Sequence, residues 1–363
     1  MKNKRFVLGL MSGTSCDGLT ICAIQISPFR IICFKNYSYS STLQKTLLHA
    51  VTLPAPALAA LHFKLGKLYA QKTKLFLKQF AISPANIDAV GMHGQTIYHG
   101  PNDDTPNTLQ LAEPSFLAVA LNCPVVSNFR EKDLALGGQG APLIPFFDEV
   151  IFGKGAPKIL LNLGGIANLS IVGKNIKTYG FDCGPANTLM DIACAKYTGQ
   201  PFDKNGTLAS KGKADIALVN HLLKQPFFRQ KPPKSLDKNN FGEEYLHTYF
   251  AAFGKTRIYD LLATLNYFTA ASVAYALHHF VPTSQRKQII VSGGGAYNKT
   301  LLTNLAQLTH LPILTSAELG IDPQAKEAAA FALMAAYALQ GKKNHCPHAT
   351  GAKQQTILGR ITI

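Results

Sequence analysis

Phe6-Val-Leu-Gly-Leu-Met-Ser-Gly-Thr-Ser-Cys-Asp-Gly-Leu-Thr-Ile-Cys-Ala-Ile-Gln-Ile26 reads as a strand over 6–10, a tight Gly/Ser/Thr/Asp turn over 11–18 and a returning strand over 19–26. The plan recurs downstream, with a strand over 158–163, a turn over 164–168 and a return over 169–172. Between the two hairpins, 56–80 reads as helical, a strand enters His93-Gly-Gln-Thr96, and another helix lies near 114–121. After the second hairpin come a strand into Phe181-Asp182, helices near 188–197 and 261–280, a strand over 288–291, a glycine triplet and an apolar helix over 323–339. Strands alternating with helices in both halves predict an α/β protein built twice over. A length of 363 residues also favours two domains. The linker-like Leu136-Gly-Gly-Gln-Gly-Ala-Pro142 places the boundary, giving domains 1–135 and 136–363 with a tail able to pack back on the first.

Composition narrows the function. With 47% apolar and 15% charged residues, and with 29 Gly and 20 Pro dispersed, the chain is a compact globular protein and not a disordered or collagen-like one. A net charge of +16 raises the question of nucleic acid. The cations are scattered, however, the densest group being Lys224, Arg229, Lys231, Lys234 and Lys238, and no aromatic-interleaved basic motif accompanies them. An anionic small substrate or solubility explains the charge without nucleic acid. Seven cysteines without a CxxC pair point to a reduced, cytoplasmic setting. Lys2, Lys4 and Arg5 precede an apolar run, 6–11, that is too short for a signal-peptide core. Residues 261–285 lack Lys, Arg, Asp and Glu but carry Thr264, Asn266, Thr269, Ser272, His278 and His279, which predicts a helix buried between domains and no membrane span.

Three glycine turns carry the chemistry. In Met11-Ser-Gly-Thr-Ser-Cys-Asp-Gly18, Gly13 and Gly18 let the backbone approach an anion, and Ser12, Thr14 and Ser15 add hydroxyl donors. Asp17 can hold a Mg²⁺-bound water or simply shape an ordinary hairpin turn. The sequence is neither a Walker loop nor a dinucleotide fingerprint. Asn162-Leu-Gly-Gly-Ile-Ala-Asn168 and Ser292-Gly-Gly-Gly-Ala-Tyr-Asn298 repeat the pattern, each after a strand. Asp182 sits where a strand ends in a Gly-Pro turn before a helix, a position that aims a carboxylate into a cleft between domains or caps the turn through an Asx-type bond.

Gly9 to Gly18, His93-Gly-Gln-Thr96, Phe129-Arg130, Gly137-Gly-Gln-Gly-Ala-Pro-Leu143, Asn162 to Asn168, Phe181-Asp-Cys-Gly-Pro-Ala-Asn187, Gly293-Gly-Gly-Ala-Tyr-Asn298, Glu327-Ala-Ala-Ala-Phe331, Thr350-Gly-Ala352 and Leu358-Gly359 form an ordered set spanning nearly the whole chain. The set resembles that of the anhydro-N-acetylmuramic acid kinases, within the actin, hexokinase and heat-shock-chaperone class. The resemblance implies two actin/hexokinase-like, ribonuclease H-like domains around an interdomain ATP cleft. It implies that ATP and water convert 1,6-anhydro-N-acetylmuramic acid to N-acetylmuramic acid 6-phosphate in cell-wall recycling, in a protein able to form a homodimer. Domain closure would draw hinge freedom from Gly137 to Gly140.

In residue terms, the resemblance makes Asp182 the catalytic base. It assigns the nucleotide to Gly13, Thr14, Ser15, Cys16, Asp17, Gly18, Leu19, Thr20, Asn162, Gly164, Gly165, Gly293, Gly294, Gly295, Asn298 and Glu327, and the sugar to His93, Gln95, Thr96, Arg130 and Asp182. Arg130 suits the substrate's lactyl carboxylate or an ordinary ion pair. Glu327 lines the nucleotide pocket or favours its helix N-terminus. Neither His93/His99 nor His278/His279 has the His-x₃-His spacing of a carbamoyl-transferase metal site, so Mg²⁺ is expected to arrive with ATP, held by phosphates and waters.

The chain departs from the family pattern at Thr20 and Asn128, where Asp is usual, at Ala112, where Gly is usual, and across Ser235-Leu-Asp-Lys-Asn-Asn-Phe241. A kinase for another amino sugar or hexose, and a non-catalytic ATP-clamping protein, are the rival readings.

Overall fold

A computed structural model describes residues 5–363 except 233 and 237. Lys2, Lys4, Asp237 and the side chains of Lys238 and Asn239, named above, lie outside the described residues. The described strands are β1 (Phe6–Ser12), β2 (Gly18–Gln25), β3 (Arg30–Ser38), β4 (Ile87–Gly100), β5 (Asn107–Leu111), β6 (Val125–Ser127), β7 (Lys158–Leu163), β8 (Ile166–Val172), β9 (Tyr179–Pro185), β10 (Ile289–Ser292), β11 (Ile313–Thr315) and β12 (Arg360–Thr362).

The chain divides into two compact units, Met1–Phe147 with Gln324–Ile363, and Asp148–Pro323. The sheet of the first unit has the order β12-β6-β4-β1-β2-β3, with β5 paired to β4. There β1, β2 and β3 form an antiparallel meander, and β4 joins β1 in parallel. The sheet of the second unit has the order β11-β10-β7-β8-β9, again a meander, β7 to β9, extended by parallel strands β10 and β11. One ribonuclease H-like topology therefore occurs once per unit, which is the α/β class expected from the repeated hairpin.

The division differs from the sequence boundary at 135/136. Residues 136–147 and 324–363 belong to the first unit, because the Lys326–Leu339 helix lies directly on β1 and β4. A Cβ added to Gly9 would fall 1.7 Å from the Ala328 carbonyl oxygen, and one on Gly91 2.0 Å from that of Phe331. Only glycine admits a helix backbone this close. The facing stripe of the helix is correspondingly small, with Ala328, Ala332 and Ala335 fully buried.

The apolar Ile258–Phe280 helix also differs from expectation, since it is part of the second unit's own core. Its buried polar groups are satisfied there. Thr264 Oγ1 accepts from Asp215 N at 3.0 Å, and Asn266 Nδ2 donates to Asn298 Oδ1 at 3.2 Å. Among the described residues no helix is long and apolar enough to cross a membrane. The run 137–140 is strapped down within the first unit. Gln139 N donates to Thr350 O at 2.8 Å, Lys353 N to Leu136 O at 3.0 Å, and Gly140 N to Asp133 Oδ2 at 2.6 Å. Such ties limit the hinge freedom expected of these glycines.

Candidate active site

In the first unit, β1 and β2 pair as far as Met11 and Thr20, leaving 12–17 to project from the sheet end. Gln95, within β4 and wholly buried, holds that loop in place. Its Oε1 lies 2.6 Å from Ser12 Oγ, which also accepts from the Tyr39 hydroxyl at 3.0 Å, and its Nε2 donates to Gly13 O at 3.0 Å. The sequence reading assigned Gln95 to the sugar; its amide is instead committed to the loop. Leu19 and Cys16 are buried in the first unit's core, which leaves only their backbone for a ligand. Thr14, Ser15 and Asp17 are exposed, and Gly13, Gly18 and Thr20 are half-buried. Thr20 Oγ1 donates to Asn36 Oδ1 at 2.7 Å, so this departure from Asp becomes a neutral polar pair.

His93, two residues before Gln95, is buried and engaged at both ring nitrogens. Nδ1 lies 2.9 Å from Gly94 O, and Nε2 accepts from Arg130 Nε at 3.1 Å and Nη2 at 2.8 Å. Burial foremost, and then the Arg130 charge, lower the His93 pKa to about 3, so the imidazole is neutral and serves as an acceptor. Arg130 Nη1 donates to Gly140 O at 2.7 Å. One N–H on each terminal nitrogen of Arg130 is left without a partner among the described residues. The neutral His93 adds no countercharge; the carboxylates that act on the guanidinium are Glu327 and Asp133. Thr96 is half-buried and its Oγ1 lies 3.4 Å from Gln110 Nε2. Glu327, in the first turn of the Lys326–Leu339 helix, is accessible; desolvation raises its pKa against the opposing pull of Lys326 and Arg130.

Asn128 adopts the left-handed region at φ +57°, which Asn and Asp both tolerate, and its Nδ2 donates to Glu131 Oε1 at 2.6 Å. Ala112 sits at φ +116°, a conformation suited to glycine, which accounts for the usual residue at that position.

In the second unit, the 164–165 turn is fixed by the start of the next helix. Asn187 N donates to Gly164 O at 2.9 Å, and Ala186 N donates to Gly165 O at 2.9 Å. The glycine triplet packs on this hairpin: Gly293 has φ +79°, and a Cβ there would meet Asn162 Oδ1 and Leu163 O at 2.7 Å. Gly294 is exposed and Gly295 buried. Asn298 is buried as the N-cap of the Lys299–Thr309 helix, its Oδ1 accepting from Leu301 N at 3.0 Å. Asn298, which the resemblance assigns to the nucleotide, thus has its side-chain oxygen engaged in capping.

Asp182 stands on β9 opposite Asn168, beside a bulge between Ala167 and Asn168. It is half-buried. Oδ2 accepts from Leu236 N at 2.7 Å, and Oδ1 has no partner among the described residues. Desolvation raises its pKa to about 6, against the Leu236 hydrogen bond and the Lys234 charge. The 235–241 segment, which departs from the family pattern, thus reaches Asp182 through a backbone N–H that any residue but proline supplies.

Lys234 escaped the sequence reading as a site residue, because a lysine in a basic stretch reads as solvated. It is buried, with Nζ 4.5 Å from the Phe227 ring and 4.7 Å from that of Phe280, donating to Phe227 O at 3.2 Å. Among the described residues no three His, Cys, Asp or Glu converge on a metal position. The exposed Asp17 carboxylate fits a cation held chiefly by phosphates and waters.

Comparison with known proteins gives the family. The family model described as anhydro-N-acetylmuramic acid kinase matches residues 5–363. Proteins named anhydro-N-acetylmuramic acid kinase from Caldanaerobacter subterraneus subsp. tengcongensis, Vibrio parahaemolyticus serotype O3:K6 and Francisella tularensis subsp. novicida are 35%, 36% and 36% identical. The alignments cover 100%, 99% and 100% of this chain and 98%, 98% and 100% of the relatives. The chain belongs to the anhydro-N-acetylmuramic acid kinase family.

Proposed function

We propose that the protein is an ATP-dependent kinase that opens 1,6-anhydro-N-acetylmuramic acid with water and phosphorylates it to N-acetylmuramic acid 6-phosphate. The observation that carries this reading is the state of Asp182: one carboxylate oxygen is held by Leu236 N at 2.7 Å, the other has no partner among the described residues, and the pKa is raised to about 6. A carboxylate poised there is ionised at neutral pH and basic enough to accept a proton. Asp182 takes the proton from water as the oxygen attacks the anomeric carbon. The 1,6-anhydro bond breaks toward O6, which accepts the γ-phosphoryl group and leaves ADP.

Arg130 presents its charge and remaining N–H groups to the lactyl carboxylate, with His93 orienting it. Phosphate contacts are assigned to Gly13, Thr14, Ser15 and Gly18 in the first unit and to Gly164, Gly165, Gly293 and Gly294 in the second. Asp17 would support Mg²⁺ through water, and the ion would neutralise charge on the phosphates. We place the reaction in the cytoplasm, a setting in keeping with cysteines that form no disulfide among the described residues. Incubation with ATP and a panel of sugars, read by mass spectrometry, tests the reading. A product heavier than the anhydrosugar by HPO₃ and one water supports it. Phosphorylation without water, or action on hexoses alone, overturns it.

A further inference from the structure

Behind Arg130 lies a buried cluster that the reaction itself does not use. Asp133, on the helical turn Glu131–Ala135 that follows Arg130, is wholly buried, as is His345 from the C-terminal segment. Asp133 Oδ1 accepts from Thr350 Oγ1 at 2.6 Å and pairs with His345 Nε2, while Oδ2 accepts from Gly140 N at 2.6 Å. Burial would raise the Asp133 pKa, yet these three donors hold it below the ordinary carboxylate range. His345 Nδ1 is buried without a partner, so Nε2 is the nitrogen that carries the proton and donates.

The segment bearing His345 and Thr350 is itself anchored. Asn344, fully buried, donates to Met334 O at 2.9 Å and Leu358 O at 3.1 Å and accepts from Leu358 N at 2.6 Å. Thr350 O receives Gln139 N at 2.8 Å. Gly140 joins the cluster to the site: its N–H is fixed by Asp133, and its carbonyl oxygen receives Arg130 Nη1 at 2.7 Å.

We propose that Asp133 is a positioning residue, which with His345 and Thr350 uses the C-terminal segment to set the Gly140 carbonyl and thereby aim Arg130 at the substrate's carboxylate. Two neutral acceptors flank the guanidinium, the His93 nitrogen and the Gly140 oxygen, and neither is rigid unless its own backbone is held. Gly94 O accounts for the first. The Asp133 cluster accounts for the second. The inference rests on the reading of Arg130 as the carboxylate partner.

The test compares dissociation constants for 1,6-anhydro-N-acetylmuramic acid and for 1,6-anhydro-N-acetylglucosamine, which lacks the lactyl group, by calorimetry on the full chain. Loss of an aligned charge-assisted bond is expected to cut the preference for the lactyl sugar about tenfold in Asp133→Asn. In Thr350→Val, a milder variant that keeps shape and serves if Asp133→Asn fails to fold, a cut of about threefold is expected. The Thr350→Ser variant restores the hydroxyl and the preference. Adding Asp133→Asn to Arg130→Ala is expected to remove no further preference, because both act on one contact. Equal weakening of both sugars, as general loosening would cause, overturns the inference. If Arg130→Ala alone leaves the preference intact, the carboxylate reading falls and takes the inference with it. If Arg130→Ala abolishes the preference while both cluster variants retain it, only the inference falls.

Discussion

Arg130 Nε and Nη2 both donate to His93 Nε2, at 3.1 and 2.8 Å, so a cation is held by a ring that must stay neutral. A protonated imidazole has no lone pair to accept these bonds and would repel the guanidinium.

The first expected outcome is acid lability. The His93 pKa falls from its ordinary 6.5 to about 3, chiefly through burial. Between those values the unfolded chain binds more protons than the folded one, so stability falls as pH falls. At pH 5 the His93 contribution amounts to about 2 kcal/mol of lost stability. His93→Gln retains an acceptor for Arg130 but does not titrate. Denaturant unfolding at pH 7 and pH 5 is expected to show a smaller acid loss in the variant; an unchanged loss would assign the lability to other groups.

Gly9→Ala is expected to destabilise the first unit severely. The added methyl would overlap the Ala328 carbonyl oxygen, and a backbone atom of a packed helix cannot swing aside. A loss of about 3 kcal/mol or more is expected in chemical denaturation, against about 0.5 kcal/mol for a surface control. A variant of near wild-type stability would contradict the close helix contact.

That contact also marks a limit of the sequence. The two hairpins were legible because turn chemistry and alternation are local. Asp182 was singled out by its motif, but the Gly184-Pro185 read as a turn ending the strand is paired with β8, so β9 runs on to Pro185. The return of the Lys326–Leu339 helix to the first unit was not. Its partners, Gly9 and Gly91, are far away along the chain, and a glycine in a strand does not say what it admits. Gln95 was assigned to the sugar because the resemblance places the His93-Gly-Gln-Thr96 motif beside it, whereas its burial depends on where the 12–18 loop folds. Ala112 was visible as a departure, but its left-handed backbone was not. Lys234 looked like its solvated neighbours, since nothing local announced the aromatic rings around it.

Ala112 offers a stabilising substitution. At φ +116° an alanine carries strain of about 1–3 kcal/mol, which glycine relieves at an entropic cost of about 0.5–1 kcal/mol. Ala112→Gly is therefore expected to gain about 1 kcal/mol and raise the melting temperature. A lower melting temperature would argue that the buried methyl contributes more by packing than the backbone loses by strain.

Asp182 is held at a cost to the fold. Its pKa rises from 3.8 to about 6, mainly by desolvation. The folded state therefore binds the proton more tightly, and stability diminishes as pH rises through that window and stays lower above it. Asp182→Asn removes the charge while keeping an acceptor for Leu236 N. It is expected to gain about 1–3 kcal/mol at pH 7.5 and little at pH 4. Stabilisation equal at both pH values would contradict a buried, ionised carboxylate.

The central claim is that Asp182 takes the proton from water, and steady-state turnover of Asp182→Asn on 1,6-anhydro-N-acetylmuramic acid with ATP tests it most directly. The wild type is expected to lose activity as pH falls through about 6, where the carboxylate takes up a proton. The variant, folded and binding ATP as the wild type does, is expected to turn over about 10² to 10⁴ times more slowly at pH 7.5, the span of a positioned general base. Turnover above about a third of wild type, with chemistry shown to be rate-limiting, would remove Asp182 from the proton transfer.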